Sequence, residues 1–558
     1  MIGSPAFSLL DQPWIPALYV DARTRLVSVR QLFAECEQIR SLAGDLPTQT
    51  VALSRLVLAV LHRAVGGPPD QRSWRALWRS PGLPLGDIGA YLDHFDSRFD
   101  LLHPQKPFYQ VAGLHTQKGD VAGLAPLIAD VPNGAPYLTW RTGPGLQRLS
   151  YAEAARWLVH CQAYDVSGIK PGAVADPRVK GGKGYPIGTG AAGGLGAVFL
   201  EGRNLRETLL LNLVPLDLPY LDQDPQRDKP VWERASHGPA EEAVIDRGPY
   251  GVLSLYTWQS RRIRLLGDGE GITGALVANG DPLGWANRQR LEPMTAWRRS
   301  PTKEKELKLP LVYLPLAHDP ARMLWRGLDA LLPAHLPASR PDAPARLVPA
   351  VCQWLARLHN AGDVSADFRV TTRAIGAVYG MQQSVVDEVY HDALTMSVQA
   401  FDDSGGLRSV IIDSAADADA AVGALRMLAT NLSRAAGGSG KDAKSPPVAA
   451  GTRAAESGYA ALDHAFRAWL AGLGPHTDPS EARTRWQRIA QSIVRRLGED
   501  LVAQSGPAAW AGRRLAVGRY VNSAQADVWF RTALRRALPL ATTPVPLGDT
   551  ADSPKVPA

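Results

Sequence analysis

The chain has 558 residues, with 61 Lys and Arg against 54 Asp and Glu, 45% hydrophobic residues and three cysteines. That length accommodates about two to four domains, each able to bury its own core, which excludes a small scaffold dependent on staples. Cys36, Cys161 and Cys352 form no CxxC and no Cys/His pair at ligand spacing, so neither a disulfide framework nor a structural zinc site is expected, and a reducing cytoplasm fits.

In chain order, the opening MIGSPAFSLLDQPWIP has no basic segment followed by an apolar one. The most apolar stretch, VALSRLVLAVLHRAV, carries Arg55, His62 and Arg63, so neither secretion nor membrane spanning is expected. Up to about residue 400, short apolar runs such as PLVYLPLAH alternate with helical patterns and Gly/Pro breaks, the texture of a mixed α and β domain. Within it, Gly188-x-Gly190-x-x-Gly193 has the spacing of a dinucleotide fingerprint. That fingerprint needs a strand before the glycines and a helix directly after them. Here a glycine-rich loop precedes and the strand-like LGAVFLEG follows, so the segment is read as a loop whose backbone approaches another molecule closely. GWANRQRLEP sets Arg288 and Arg290 on either side of Gln289 in a loop closed by Pro293. His318-Asp319 precedes a proline and His391-Asp392 falls on a predicted helix; both are read as satisfying local polar groups. FRVTTRAIGAVY reads as a strand that exits at Gly380, Gln382 and Gln383 as a turn, and SVVDEV as helical. With no HExxH, no GxSxG and no carboxylate constellation, nothing argues for catalysis, and no cofactor is expected.

After FDDSGGLRS, four amphipathic patterns near 413–435, 454–472, 479–503 and 522–538 suggest an antiparallel bundle, with GGSGKD as a linker and Asp478 and Ser480 as N-cap candidates for the third helix. Tyr459, Leu462, Phe466, Trp469, Leu470 and Leu473 form the core face predicted for the second helix. Trp486, Ile489, Ala490, Ile493, Val494, Leu497 and Leu501 form that of the third, which turns Arg485, Arg488 and Arg495 outward together. Residues 421–540 hold 17 basic and 8 acidic side chains, leaving 44 and 46 elsewhere, so this part carries the whole positive excess. Such a face is able to neutralise phosphates without reading sequence; the alternative is an ordinary solvated helix face. The fold class is therefore α+β: a large mixed domain over 1–400, a four-helix bundle over 401–541 and a Pro-rich disordered tail over 542–558.

Taken together, FSLLDQPWIPA, LPTQTVALSRLVLAVLHRA, HPQKPFYQV, LTWRTGPGLQRLS, GGLGAVFLEGRNLRETLLLNLVPLD, YGMQQS and the terminal bundle, in that order, resemble the CasA family, the large subunit of the type I-E CRISPR surveillance complex Cascade. The resemblance implies a non-catalytic subunit that reads the protospacer-adjacent motif (PAM) on double-stranded DNA, starts strand separation for the guide RNA, and presents a surface to the helicase-nuclease. It implies that Gln382 and Gln383 match the family's glutamine wedge. The loop touching the PAM from the minor groove falls between VSGIKPG and GGKGYP, with Gly168, Ile169 and Lys170 favoured and Gly184 the alternative. The family's lysine finger falls before EPMTAWRRSP, where this chain has no lysine, so Arg288 or Arg290 takes its place. Trp140 and Arg141 match the loop that meets neighbouring subunits and the guide RNA. Some family members carry paired cysteines suited to zinc; this chain does not, and no metal is expected.

Overall fold

The computed structural model describes residues 6–119, 123–131, 141, 147–243, 247–333, 344–402, 406–442, 444–515 and 518–542; the predicted tail, from residue 543 on, lies outside them. The chain divides into two compact units, Met1–Phe401 and Asp402–Ala558. Among the described residues no helix is long and apolar enough to cross a membrane.

The first unit opens with strand β1 (Ile15–Tyr19), flanked by the antiparallel β2 (Thr24–Val27) and β3 (Ile39–Leu42). Helix α1 (Pro47–Ala64) begins with Pro47 at its first turn, where a missing N–H costs nothing, and is buried along most of its length. Even its Arg55 is enclosed, paired with the fully buried Glu292 at 2.6 Å. It packs against α2 (Tyr151–Tyr164), whose first turn is fixed by Ser150 Oγ accepting from the Glu153 N–H. The short strands β4 (Lys170–Pro171) and β5 (Lys183–Gly184) pair with each other. Next come β6 (Ala197–Glu201), α3 (Leu205–Asn212), capped by Asn204, and the antiparallel pair β7 (Arg261–Gly267) and β8 (Ile272–Asn279). A small sheet of β9 (Trp297–Arg299), β10 (Tyr313–Pro315) and β11 (Arg346–Leu347) precedes the longest strands, β12 (Arg369–Tyr379) and β13 (Val386–Ser397). These form a hairpin beside β6, in the order β13-β12-β6.

One expectation fails here. SVVDEV is not helical: Val386 starts β13, and His391 and Asp392 lie on that strand opposite Ile375 and Ala374. Val385, Val386, Val389 and Tyr390 have a spacing that also suits a helix face. β-branched and aromatic side chains favour a pleated surface, however, and pairing with β12 supplies partners along its length.

The second unit contains α4 (Leu407–Ala435), α5 (Pro446–Gly472), α6 (Pro479–Ala503) and, after a short α7 (Pro507–Ala511) and the two-strand pair β14 (Arg513–Arg514) and β15 (Tyr520–Val521), α8 (Ser523–Ala537). Helix α4 packs against the other three long helices. Its buried Ala418, Ala421 and Ala429 keep it slim, and Gly458 of α5 sits where a Cβ would come 3.2 Å from the side chains of Val422 and Leu425. Asp478 caps α6, accepting from the Glu481 N–H at 2.8 Å. Leu462, Phe466, Trp469, Leu470 and Leu473 are buried as predicted, whereas Tyr459 is only half-buried because Gly451 and Gly458 make the close approach to α4. The buried face of α6 is centred on Trp486, Ala490, Val494 and Gly498; Ile489, Ile493, Leu497 and Leu501 flank it half-buried. Gln487 joins that face because its amide is satisfied there, donating to Asp417 and accepting from the Leu540 N–H, both at 2.7 Å.

Candidate nucleic-acid interface

The β12–β13 hairpin narrows to a tip at Gly380–Val385. The Gly380 N–H donates to Val385 O at 3.0 Å and the Gln383 N–H to Gly380 O at 2.9 Å. Gln382 and Gln383 both have φ of +57°, a left-handed conformation that residues with a Cβ seldom adopt. Both side chains are exposed, and among the described residues neither amide has a hydrogen-bond partner; Met381 beside them is 85% exposed. A tight turn thus holds two amide side chains outward at the end of a long, anchored ribbon.

A second loop is fastened to this tip. Leaving α2, the chain passes Asp165 and reaches Ser167, whose N–H donates to Gln383 O at 2.8 Å, before Gly168 turns it at φ of +155°. Tyr379 Oη donates to Tyr164 O at 2.8 Å, and burial pushes that phenol well above its usual pKa, so it stays a neutral donor. Asp165 accepts from Arg261 and holds Lys170 Nζ at 2.7 Å. Arg261 also donates to Val166 O at 3.1 Å and Gly188 O at 2.8 Å. Gly168 and Lys170 are half-buried and Ile169 is 58% exposed, so the loop presents its backbone and one apolar side chain.

Across β4 and β5, Lys170 pairs with Gly184 and Pro171 with Lys183. Gly184 is buried, and a Cβ there would meet Asn279 Nδ2 at 2.9 Å. The Asn279 amide donates to Tyr185 O at 2.6 Å, fixing the strand end. At the other end Lys180 and Lys183 exchange backbone hydrogen bonds at 3.0 and 3.1 Å around Gly181 and Gly182, both at positive φ. This is a two-residue hairpin with an exposed lysine on each side.

The structure assigns most of the glycine-rich segment a different job from the expected one. A Cβ on Gly190 would lie 2.5 Å from the Ala163 carbonyl carbon, one on Gly193 2.6 Å from Tyr379 Oη, and one on Gly196 2.3 Å from Leu316 O. These glycines permit close approach of the chain to itself, bringing α2, β6 and the β12–β13 hairpin together.

Arg288 and Arg290 point apart. Arg288 Nε donates to Gly284 O at 2.6 Å within its own turn, and burial pushes its guanidinium pKa down. Trp285 of the same turn rests against Gly194. Arg290 forms a forked pair with the exposed Asp222, at 2.9 and 2.7 Å. Arg141 is bound to Asp130 and Glu153, at 2.8 and 2.6 Å, while Trp140 lies outside the described residues. In the second unit Arg485, Arg488 and Arg495 are exposed on α6, with Arg495 Nε 3.6 Å from Glu499.

The sequence reading missed Asp165, Arg261 and Tyr379, which tie the two loops together, because no motif links residues nearly a hundred or more positions apart. It also missed Lys180-Gly-Gly-Lys183, although two glycines between paired residues are a local hairpin signal. The cavity between α1 and α2, lined by Arg55, Tyr109, Gln162 and Tyr256, measures about 20 Å³, room for about one water. Among the described residues no group of three or more His, Cys, Asp or Glu is placed to hold a metal ion.

Residues 8–497 match the family model of the CRISPR-associated protein Cse1. The chain belongs to the Cse1 (CasA) family. A curated family member, CasA/Cse1 from Thermus thermophilus, is 33% identical over 331 residues, which span 59% of this chain and 60% of that relative. The crystal structure of Thermobifida fusca Cse1 superposes with a TM-score of 0.88 at 47% identity, covering 96% of this chain and 99% of that one. Cse1 from Acidimicrobium ferrooxidans gives 0.78 at 30% identity, covering 96% and 98%. The mixed first unit and helical second unit are thus a family property, and the exposed glutamine tip belongs to a Cse1 chain.

Proposed function

We propose that this chain is the non-catalytic large subunit of a type I-E Cascade complex, recognising the PAM on double-stranded DNA and beginning strand separation for the guide RNA. The observation that carries the reading is the Ser167–Gln383 hydrogen bond, which makes one rigid edge of a protruding glutamine tip and a glycine-turned loop. A wedge must resist being pushed back by a stacked duplex, and the long β12–β13 ribbon and the Tyr379–Tyr164 hydrogen bond supply that support. Unstacking a base step costs a few kcal/mol, which interactions with the separated strands offset.

In this reading Gln383, with Gln382 beside it, enters next to the PAM, while the backbone at Gly168–Lys170 follows the minor groove. Such readout is degenerate, so several PAM sequences are accepted. Lys180 and Lys183 contact the phosphates, and Arg288 takes the place of the family's lysine finger in preference to Arg290, which Asp222 holds. The bundle arginines contact DNA backbone, and other surfaces meet neighbouring subunits, guide RNA and the helicase-nuclease.

The test is a gel-shift titration of guide-loaded complex, with and without this chain, on target duplexes whose PAM is intact or scrambled, at fixed near-physiological salt. Tighter binding only with the intact PAM supports the reading; equal tightening of both duplexes reduces the chain to an electrostatic clamp.

A further inference from the structure

The second unit carries a patch that PAM recognition does not use. Between Asp500 and Asp527 the chain runs for 26 residues without an acidic side chain and includes Arg513, Arg514 and Arg519. This stretch forms α7 and the β14–β15 pair, which pack against the C-terminal end of α4. Its inner side is well anchored: Ala509 and Val521 bury against Ala435, Arg513 Nε donates to Ala435 O at 3.2 Å at the end of α4, and Arg519 lies 3.7 Å over the ring of Trp529.

Its outer side is left open. Trp510 is 57% exposed although its Nε1 is satisfied by Ser505 O at 3.0 Å, and Tyr520 is 48% exposed although its hydroxyl donates to Ala511 O. Those hydrogen bonds anchor both side chains with their polar atoms occupied and leave ring surface exposed, and the Tyr520 hydroxyl reaches the carbonyl of Ala511, the residue next to Trp510. Arg514 stands directly opposite Tyr520 in the antiparallel register, so their side chains share the outer face. Among the described residues no acidic side chain pairs with Arg513, Arg514 or Arg519.

We infer that Trp510, Tyr520 and Arg514 form a stacking platform for single-stranded DNA. Two fixed aromatic surfaces next to an unneutralised guanidinium suit unpaired bases on a charged backbone, because every base has a π-face and every nucleotide a phosphate. A duplex hides its base faces and meets only the arginine. The choice of DNA over RNA rests on the proposed strand opening, which leaves one DNA strand unpaired; the platform itself does not depend on it.

The test uses the full chain and fluorescence anisotropy with labelled dT20, U20 and a 20-bp duplex at about 0.15 M salt. W510A/Y520A is expected to bind dT20 about tenfold more weakly and the duplex within about twofold of the parent. W510F/Y520F, which keeps both rings, is expected to restore most dT20 affinity, and so separates stacking from a folding defect. R514Q is expected to reduce the dependence of log affinity on log salt by about 0.7. The proposal is overturned if W510A/Y520A leaves dT20 binding unchanged, if duplex binding falls equally, or if U20 binds more tightly than dT20. It is also overturned if W510A/Y520A spares dT20 binding and instead weakens co-purification of the chain with its complex, which would make the patch a protein interface. Loss of PAM discrimination has no bearing on dT20 binding, so the two readings fail separately.

Discussion

The N–H of Ser167 donates to the carbonyl oxygen of Gln383 over 2.8 Å, joining two loops that are 216 positions apart in sequence. Neither residue offers a side chain to that hydrogen bond, so only the two backbone paths set it. Those paths are held by Asp165, Arg261 and Tyr379, and disturbing these supports should displace the glutamine tip without touching it.

Asp165→Asn removes the carboxylate shared by Lys170 and the buried Arg261. Leaving a buried guanidinium without its counter-charge costs about 3 kcal/mol, at the lower end of such losses because Arg261 keeps the carbonyls of Val166 and Gly188. Urea unfolding should show that loss, and gel shifts should show weaker discrimination between intact and scrambled PAM. Lys170→Met should cost much less stability, since Asp165 retains Arg261.

Gly498→Ala tests the helical unit. A Cβ at that position would stand 2.2 Å from the Phe530 ring, whereas one at Gly472 would meet nothing within 4 Å. Overpacking should destabilise the first variant by about 1–3 kcal/mol. Gly472→Ala should be neutral or slightly stabilising, and thermal unfolding of both distinguishes the two sites.

The exposed Arg485, Arg488 and Arg495 should behave differently from the glutamine tip. Replacing all three with Ala should weaken DNA binding uniformly across PAM sequences. The slope of log affinity against log salt should shrink by about 0.9 for each phosphate that is no longer neutralised. Titrations at three salt concentrations check this; a loss confined to intact-PAM duplexes would assign the arginines to recognition instead.

Acid should destabilise the first unit. His62 and His160 are buried, and burial pushes both pKa values down to about 4 from an ordinary value near 6.5. Between those values the unfolded chain binds protons that the folded chain refuses, so stability rises with pH from about 4 to about 6.5 and is lost on acidification through that window. Urea midpoints at pH 7 and pH 5 should differ in that direction, and His160→Gln should reduce the difference.

The helical unit was legible because its signals are local. Apolar spacing gave the four long helices, and Asp478 before Pro479 gave the start of the third. Its face was displaced because spacing cannot see that Gln487 is satisfied in the core or that Gly498 receives Phe530. In the mixed unit, Gln382 and Gln383 at a turn and the strand before them were readable. The following strand was mistaken for a helix because Val and Tyr at that spacing fit both periods until β12 pairs with it. The ties that make an edge of the candidate site are a backbone hydrogen bond and a buried ion cluster between distant segments, which leave no mark in local sequence.

The most direct measurement of the central claim is 2-aminopurine fluorescence at the first target base beside the PAM, in duplex bound by guide-loaded complex carrying either this chain or its Q382A/Q383A variant. The account predicts a rise in fluorescence, reporting unstacking, with the parent chain, and a loss of most of that rise with the variant while initial duplex binding persists. Equal unstacking by both chains would contradict it and remove the hairpin tip from strand opening.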